Sequence, residues 1–162
     1  MVTIKHTGAD QGFSENPVVG WCDNDRDVIL KEDFSYTTKS GITYTGKIGS
    51  KVNGANIPRF FYRIFGSPYI GKHKRPSVIH DVVCQKAFKE YNYELRRNAD
   101  EWLWPEMLEF IKANKFQIKS KTLGVRIGRW FAWAKGDFKK PQKDPANQSK
   151  QTQQDPSSSP KS

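Results

Sequence analysis

Two helical segments joined by a short polar turn constrain the fold of this chain more than any other feature. The first covers residues 76–90 and the second residues 93–104, with Tyr91 and Asn92 between them. Residues three or four positions apart share one face of an α-helix, and both segments carry apolar residues at that spacing. A connection this short predicts that the two helices pack side by side in antiparallel directions. The apolar residues are Ile79, Val83 and Ala87 in the first segment and Leu95, Ala99, Trp102 and Leu103 in the second.

The part of the chain before residue 53 has the pattern of strands. Segments rich in Val, Ile, Tyr and Thr, which favour strands, cover residues 17–21, 27–30, 33–38 and 42–48. Ser40 and Gly41 separate the last two segments and predict a hairpin turn.

After residue 53 the pattern becomes helical, with further helices predicted at residues 59–65 and 122–134. Pro105 is expected to kink or interrupt the second central helix, which resumes over residues 107–111. The sequence therefore predicts an α+β fold, in which a small antiparallel β-meander (residues 1–52) precedes a packed region of three to four helices (residues 53–136). Both parts form one domain, and the composition of residues 137–162 predicts a disordered polar tail.

Cysteine content and hydropathy argue against several classes of protein. Cys22 and Cys84 are the two cysteines of the sequence, which argues against a disulfide scaffold and a structural zinc cluster. The sequence has no apolar run of the roughly 20 residues that a membrane-spanning helix needs. Its first ten residues lack the apolar core of a secretory signal. We therefore expect a protein of a reducing cytoplasm that is not secreted by a signal peptide.

The net charge of +10 predicts an anionic partner, either a phospholipid membrane surface or nucleic acid. Residues 137–162 contribute +2 of this charge, so +8 lies on the predicted domain. A basic run, residues 72–75, follows the aromatic residues 60–62, and this combination suits either partner. The alternative is that the charge serves solubility alone and that the aromatic rings pack inside the fold.

His80, Asp100 and Asp81 are the candidates for chemistry. An antiparallel pair of helices can bring His80 against Asp100, which would make the imidazole a general base and the carboxylate its orienting partner. Asp81 points about 100° away from His80 around the helix and can offer an oxygen to a hard cation such as calcium. The loop from Gly66 to Gly71 is the candidate for the remaining calcium ligands.

Each of these residues also has a structural interpretation. His80 is equally compatible with a core histidine bonded to a backbone carbonyl. Asp100 lies four residues after Arg96 and can form a helical salt bridge with it. Asp81 lies near the beginning of a helix, where the helix dipole favours a carboxylate. A thiol nucleophile at Cys84 is disfavoured, because a cysteine one turn from the histidine leaves little room for a substrate.

The sequence resembles a phage- and prophage-associated family catalogued as domain of unknown function 1353. The resemblance covers about residues 33–133 and rests on Gly54-Ala55-Asn56-Ile57-Pro58, Ile79-His80-Asp81, Arg96 and Ala99-Asp100. It implies a host-cytoplasmic or virion-associated protein and does not imply a particular chemistry.

A more distant resemblance is to phospholipase A2 of the parvovirus capsid type. HDVVC at residues 80–84 followed by RRNAD at residues 96–100 is similar to that family's pairing of a His-Asp helix with a helix that carries a second aspartate. The resemblance implies His80 as base, Asp100 as its partner and Asp81 as the calcium carboxylate. The chain departs from the pattern at Cys84, where the family usually has a tyrosine, and in the loop of residues 66–71, which matches the calcium loop loosely.

Three functions remain open from the sequence. The first is calcium-assisted hydrolysis of phospholipid esters, with Arg96, Lys72 and Arg75 as the side chains that bind the anionic substrate and with Asp81, Gly66 and Gly71 at the metal. The second is a noncatalytic phage accessory or virion protein that binds an anionic partner. The third is a metal-dependent nuclease or phosphodiesterase that uses the same histidine and aspartates.

Overall fold

The computed structural model of the chain describes residues 2–22, 28–52 and 73–136. The predicted helix at residues 59–65, the loop from Gly66 to Gly71, Lys72 and the tail predicted at residues 137–162 lie outside these ranges. Within them, antiparallel sheets precede helices, and the predicted α+β class is confirmed.

Residues 2–22 and 28–52 form seven short strands in two antiparallel sheets. The strands are β1 (Val2–His6), β2 (Gly12–Phe13), β3 (Val19–Trp21), β4 (Val28–Leu30), β5 (Phe34–Thr37), β6 (Ile42–Gly46) and β7 (Lys51–Val52). The larger sheet has the strand order β1-β6-β5-β2 and the smaller sheet has the order β3-β4-β7, so the strand order is more complex than that of a simple meander. All four predicted strand segments contain a strand, whereas β1, β2 and β7 lie outside them.

The hairpin predicted at Ser40-Gly41 joins β5 and β6, with Phe34 opposite Gly46. Gly41 has a φ of 76°, a conformation that glycine adopts without steric cost. At Gly46, a Cβ atom would lie 2.9 Å from Leu30 Cδ1 and 3.3 Å from a methyl carbon of Val82. The absence of a side chain at Gly46 therefore lets this sheet approach the following helix closely.

Helix α1 (Lys74–Lys89) packs its apolar face against the sheets. Its residues Val78, Ile79 and Val83 are completely buried. They share one core cluster with residues of the strands and of the later helices, namely Val28, Leu30, Phe34, Val52, Met107 and Leu108.

The second predicted helix is a continuous run in three parts: α2 (Tyr93–Asn98), a π-helical turn (Ala99–Leu103) and α3 (Trp104–Phe110). The Trp104 N–H donates to the carbonyl of Ala99, five residues earlier. Pro105 cannot donate a backbone hydrogen bond, and the widened turn changes the bonding register immediately before it. The predicted kink or interruption therefore takes the form of a π turn in an unbroken run.

The last helix, α4 (Lys115–Ala134), begins seven residues before the predicted start at residue 122. It buries one face, formed by Gly124, Val125, Gly128 and Ala132. Among the helices of the described ranges, none has the length and hydropathy of a membrane-spanning helix.

A capping box explains the early start of α4. The Asn114 side chain accepts a hydrogen bond from the Gln117 N–H at 2.8 Å, and the Gln117 side chain accepts one from the Asn114 N–H at 3.4 Å. We expect Asn114→Ala to lower the free energy of unfolding by about 1 kcal/mol, because the first helical turn loses a bonded acceptor. Chemical denaturation measures the change. Asn114→Asp, which keeps an acceptor oxygen, is the matched control and is expected to stay near wild type.

Candidate functional site

The turn between α1 and α2 brings the two predicted site residues together. Tyr91 adopts a φ of 51° in this turn, and the Asn92 side chain caps α2 by accepting a hydrogen bond from the Leu95 N–H at 2.9 Å. The chain therefore reverses within a few residues, and α2 and the π turn pack beside α1. Asp100 lies in the π turn and faces His80 in the middle of α1.

The imidazole of His80 and the carboxylate of Asp100 form a buried pair. His80 Nε2 lies 2.7 Å from Asp100 Oδ1, and Arg96 Nε donates to Asp100 Oδ2 at 3.1 Å. Both carboxylate oxygens therefore have a partner. Asp100 exposes 0% of its surface, Arg96 2% and His80 6%. The predicted approach of His80 and Asp100 is confirmed, and it occurs inside the protein.

Two further side chains surround the imidazole. Cys84 Sγ lies 3.7 Å from Nδ1 and 3.6 Å from Nε2 of His80, so the sulfur contacts the ring between its two nitrogens. The indole of Trp104 lies at a ring-centroid distance of 5.0 Å from the imidazole. Trp104 Nε1 is buried and has no hydrogen-bond acceptor among the described residues. The indole that packs beside the His80 ring therefore carries a buried N–H donor.

The surroundings of His80 favour the charged form of its ring. Burial acts to lower the pKa of His80, but Cys84 and Asp100 act in the opposite direction and raise this pKa to about 10. The charged form is therefore favoured at neutral pH. In that form the imidazolium donates to Asp100 Oδ1 while Arg96 donates to Oδ2, so one carboxylate faces two cations.

His80, Cys84 and Asp100 also form a group with the spacing of metal ligands, since one donor atom from each lies within 4.8 Å of the others. The donors are nitrogen, sulfur and oxygen, a set that suits a transition metal better than calcium, which prefers oxygen ligands. Arg96 places a positive charge on the same carboxylate and opposes a second cation there. Any calcium ion would therefore need a different set of ligands.

The other predicted site residues have different positions. Arg96 is buried against Asp100, so it orients the carboxylate and does not face solvent as a surface ligand for substrate would. Arg75 is half-buried and donates to Asn16 Oδ1 at 2.8 Å. Asp81 is half-buried on α1 beside His80, and its charge acts on Arg96. Lys72, Gly66 and Gly71 lie outside the described residues.

Sequence reasoning missed two residues near the pair, Trp104 and Arg129. Trp104 follows Asp100 by four positions, the helical spacing that would have indicated a shared face. Arg129 comes from α4, and its Nε lies 3.8 Å from Asp100 Oδ2 while its Nη2 bonds Glu101 at 2.7 Å. No local sequence pattern indicates that Arg129 lies near Asp100, because this contact depends on the packing of α4 against the π turn.

A separate cavity of about 650 Å³ lies along the C-terminal half of α1. Val82 and Phe88 contribute apolar surface to it, and its charged lining consists of Lys51, Lys86, Lys89 and Glu90. Neither His80 nor Asp100 lines this cavity, so it is distinct from the buried pair.

The chain matches a protein family whose biochemical role is not established. The sequence profile of the family described as "Protein of unknown function (DUF1353)" matches residues 28–125. Two proteins of Sinorhizobium fredii are similar to the chain. "Uncharacterized protein y4jT" is 36% identical over 96 residues, which cover 54% of this chain and 29% of the relative. "Uncharacterized protein y4iH" is 34% identical over 100 residues, which cover 62% of this chain and 41% of the relative.

The chain thus spans less than half the length of either relative. No solved structure matches it. The region matched by the family profile includes His80, Asp81, Arg96, Asp100 and Trp104, and it ends before Arg129.

Proposed function

Because the chain belongs to the DUF1353 family of proteins of unknown function, we propose a function from the site itself: a hydrolase in which His80 is the general base and Asp100 its orienting partner. The distance of 2.7 Å between His80 Nε2 and Asp100 Oδ1 carries the proposal. A carboxylate on one ring nitrogen fixes the tautomer and leaves the other nitrogen to accept a proton. Arg96 supports this role by holding the second oxygen of Asp100.

The proposed reaction is the hydrolysis of a phospholipid ester. In the neutral ring, Nε2 keeps its proton for Asp100, and Nδ1 accepts a proton from water. The resulting hydroxide attacks the ester carbonyl, and the imidazolium returns the proton to the departing alkoxide, which leaves a fatty acid and an alcohol. The chain's net charge of +10 supports an anionic lipid as substrate.

The indole N–H of Trp104, which has no acceptor among the described residues, also supports the proposal. A buried donor without an acceptor carries a free-energy cost, and the ring centroids of Trp104 and His80 lie 5.0 Å apart. We propose that this N–H donates to a water molecule or a substrate oxygen at the site.

Calcium, when bound, would polarise the ester carbonyl. Among the described residues, Asp81 suits this ion best, because its oxygens are hard ligands and its side chain is not fully buried. The pair His80–Asp100 remains outside the calcium ligands. Gly66 and Gly71, which lie outside the described residues, stay the predicted backbone ligands of this ion.

A noncatalytic binding module is the second candidate, and the burial of the pair favours it. His80 exposes 6% of its surface, so catalysis requires an opening through which substrate reaches Nδ1. A pKa of about 10 also keeps the ring protonated at neutral pH, and an imidazolium cannot accept a proton. In this alternative, His80, Asp100 and Arg96 hold the helices together, and the basic surface binds an anionic partner.

Fatty-acid release from phosphatidylglycerol vesicles separates the two candidates. We expect calcium-dependent release by the wild type and a decrease in turnover of at least about 100-fold in His80→Gln, because the base is lost. The assay is made at about pH 9, and turnover is normalised to the folded fraction from circular dichroism. His6→Gln changes an exposed histidine on β1 and serves as the matched control, which is expected to keep wild-type turnover.

Asp81→Asn tests the metal role separately. We expect it to raise the calcium concentration needed for half-maximal release without changing the folded fraction. Absence of release by the wild type at every calcium concentration, or equal turnover in His80→Gln and wild type, would overturn the hydrolase proposal. Cleavage of nucleic acid in place of lipid would assign the same residues to a phosphodiesterase and overturn the lipid assignment.

A further inference from the structure

Helix α4 carries large apolar side chains on its solvent-exposed side. Phe116 exposes 80% of its surface, Leu123 57%, Trp130 60% and Trp133 58%. Burying such side chains is favourable, and clusters of them on a surface usually mark an interaction site. The exposed side of α4 therefore has the composition of a binding surface.

These side chains follow a regular helical pattern. Phe116, Leu123 and Trp130 are spaced seven residues apart, so they form a nearly straight row along the helix. Lys119, Arg126 and Trp133 form a second row, about 60° from the first by the same period. Both rows are exposed, and they lie opposite the buried face of Gly124, Val125, Gly128 and Ala132.

The charge on this helix has a single sign. Its sequence, KFQIKSKTLGVRIGRWFAWA, has five Lys or Arg residues and no Asp or Glu. Lys119 and Arg126 lie within the exposed rows, and Lys115 lies on the same side of the helix by the 3.6-residue period. Apolar and cationic side chains thus occupy one continuous surface, which we call the outer face of α4 (Phe116, Lys119, Leu123, Arg126, Trp130 and Trp133).

We propose that the outer face of α4 docks the protein on anionic phospholipid bilayers, with the helix lying parallel to the membrane plane. Trp and Phe side chains enter the boundary between headgroups and acyl chains, while Lys and Arg meet anionic headgroups. The two rows contain four apolar side chains and two cations, and this excess of apolar surface favours a membrane over nucleic acid as the partner. A nucleic-acid surface relies mainly on contacts between cations and phosphates.

Docking does not depend on the proposed hydrolysis, and ether-linked lipids separate the two. We expect the wild type to co-sediment with vesicles of ether-linked phosphatidylglycerol in the presence of a calcium chelator, where carboxylic esters and free calcium are both absent. Binding to vesicles of ether-linked phosphatidylcholine is expected to be at least about tenfold weaker, and salt should weaken binding to the anionic vesicles.

Two pairs of substitutions test the outer face. Phe116→Ser with Trp130→Ser is expected to reduce partitioning onto anionic vesicles by at least about tenfold, because apolar insertion is lost. Lys119→Gln with Arg126→Gln should remove most of the preference for anionic lipid. Trp21→Ser is the matched control, since Trp21 is 67% exposed on β3, and it should bind like wild type.

Each other outcome would overturn the proposal. Equal binding to both lipids, no binding to either, or wild-type binding by both paired variants would exclude the outer face as a docking surface. Binding to a nucleic-acid duplex without binding to vesicles, if lost on Lys119→Gln with Arg126→Gln, would assign the face to nucleic acid. Fatty-acid release without vesicle docking would reject this inference and leave the hydrolase proposal standing.

Discussion

Asp100→Ala is expected to lower the free energy of unfolding by about 3–5 kcal/mol, the cost typical of removing one partner from a buried ion pair. Asp100 is completely buried, and Arg96 exposes only 2% of its surface. Without the carboxylate, His80 can lose its proton and become neutral, but the guanidinium of Arg96 remains charged at any pH at which the protein folds. An unpaired buried cation is therefore the main source of the loss. Urea denaturation measures it.

Glu101→Ala is the matched control for this prediction. Glu101 is the adjacent acid in the same π turn, but its side chain is 24% exposed. It bonds Arg129 at 2.7 Å, and we expect its removal to cost less than the removal of Asp100, because Arg129 Nε keeps Asp100 Oδ2 at a distance of 3.8 Å. Adding Arg96→Met to Asp100→Ala should recover part of the lost stability, since it removes the unpaired cation. A loss below about 1 kcal/mol in Asp100→Ala would contradict the pairing.

Much of the fold follows from local sequence patterns. The change of period near residue 53 and the Ser40-Gly41 turn predict the order of strands and helices, because both depend on neighbouring residues. Strands β2 and β7 have two residues each and are too short to produce a pattern. Strand β1 pairs with β6, a partner forty residues away. The first two turns of α4 were not predicted, because residues 115–121 contain several polar side chains and no clear apolar face. Asn114 and Gln117 nevertheless have the spacing of a capping box.

The sequence predicts that His80 and Asp100 lie together, but it does not predict how deeply they are buried. The short turn at Tyr91 and Asn92 makes an antiparallel pair of helices the natural arrangement, and this pair places His80 near Asp100. The depth of burial depends on how the helices pack on the sheets, which local patterns do not specify. The helical spacing of Arg96 and Asp100 also predicts the salt bridge that the structure contains, whereas the second predicted role of Arg96, as a ligand for an anionic substrate, does not agree with its burial.

The stability of the protein is expected to fall by about 3 kcal/mol between pH 6 and pH 9 because of His80. The folded state raises the pKa of His80 from 6.5 to about 10. A raised pKa means that the folded state binds the proton more tightly than the unfolded state does. The resulting stabilisation is fully present below pH 6.5 and is lost as the pH rises through about 10. From pH values below 6.5 to values above 10, the total loss of this stabilisation is about 5 kcal/mol, since each unit of pKa difference is worth about 1.4 kcal/mol.

The charged and titratable groups around the ring explain the direction of this change. Asp100 and Cys84 favour the imidazolium, whereas Arg96 and Arg129, both near Asp100 Oδ2, reduce the negative charge that His80 experiences. Asp100 Oδ1 bonds the ring at 2.7 Å, and Cys84 Sγ contacts it at 3.6 Å. Arg96 and Arg129 lie at Asp100 Oδ2, the carboxylate oxygen that does not bond the ring. The favourable contribution therefore dominates, and the proton on His80 stabilises the fold.

Denaturation of wild type and His80→Gln at several pH values, in the presence of a chelator, isolates the contribution of His80. Other groups have shifted pKa values, including Tyr36, whose pKa is raised by burial, and Lys121, whose pKa is lowered by burial. These groups are present in both proteins, so the difference between the two curves reports on His80. We expect that difference to be largest near pH 6 and to shrink by about 3 kcal/mol at pH 9. A difference that is constant with pH would show that His80 has the same pKa in the folded and unfolded states. The imidazolium would then have no part in holding Asp100 and Arg96, and a ring that is neutral at physiological pH would be available as a base.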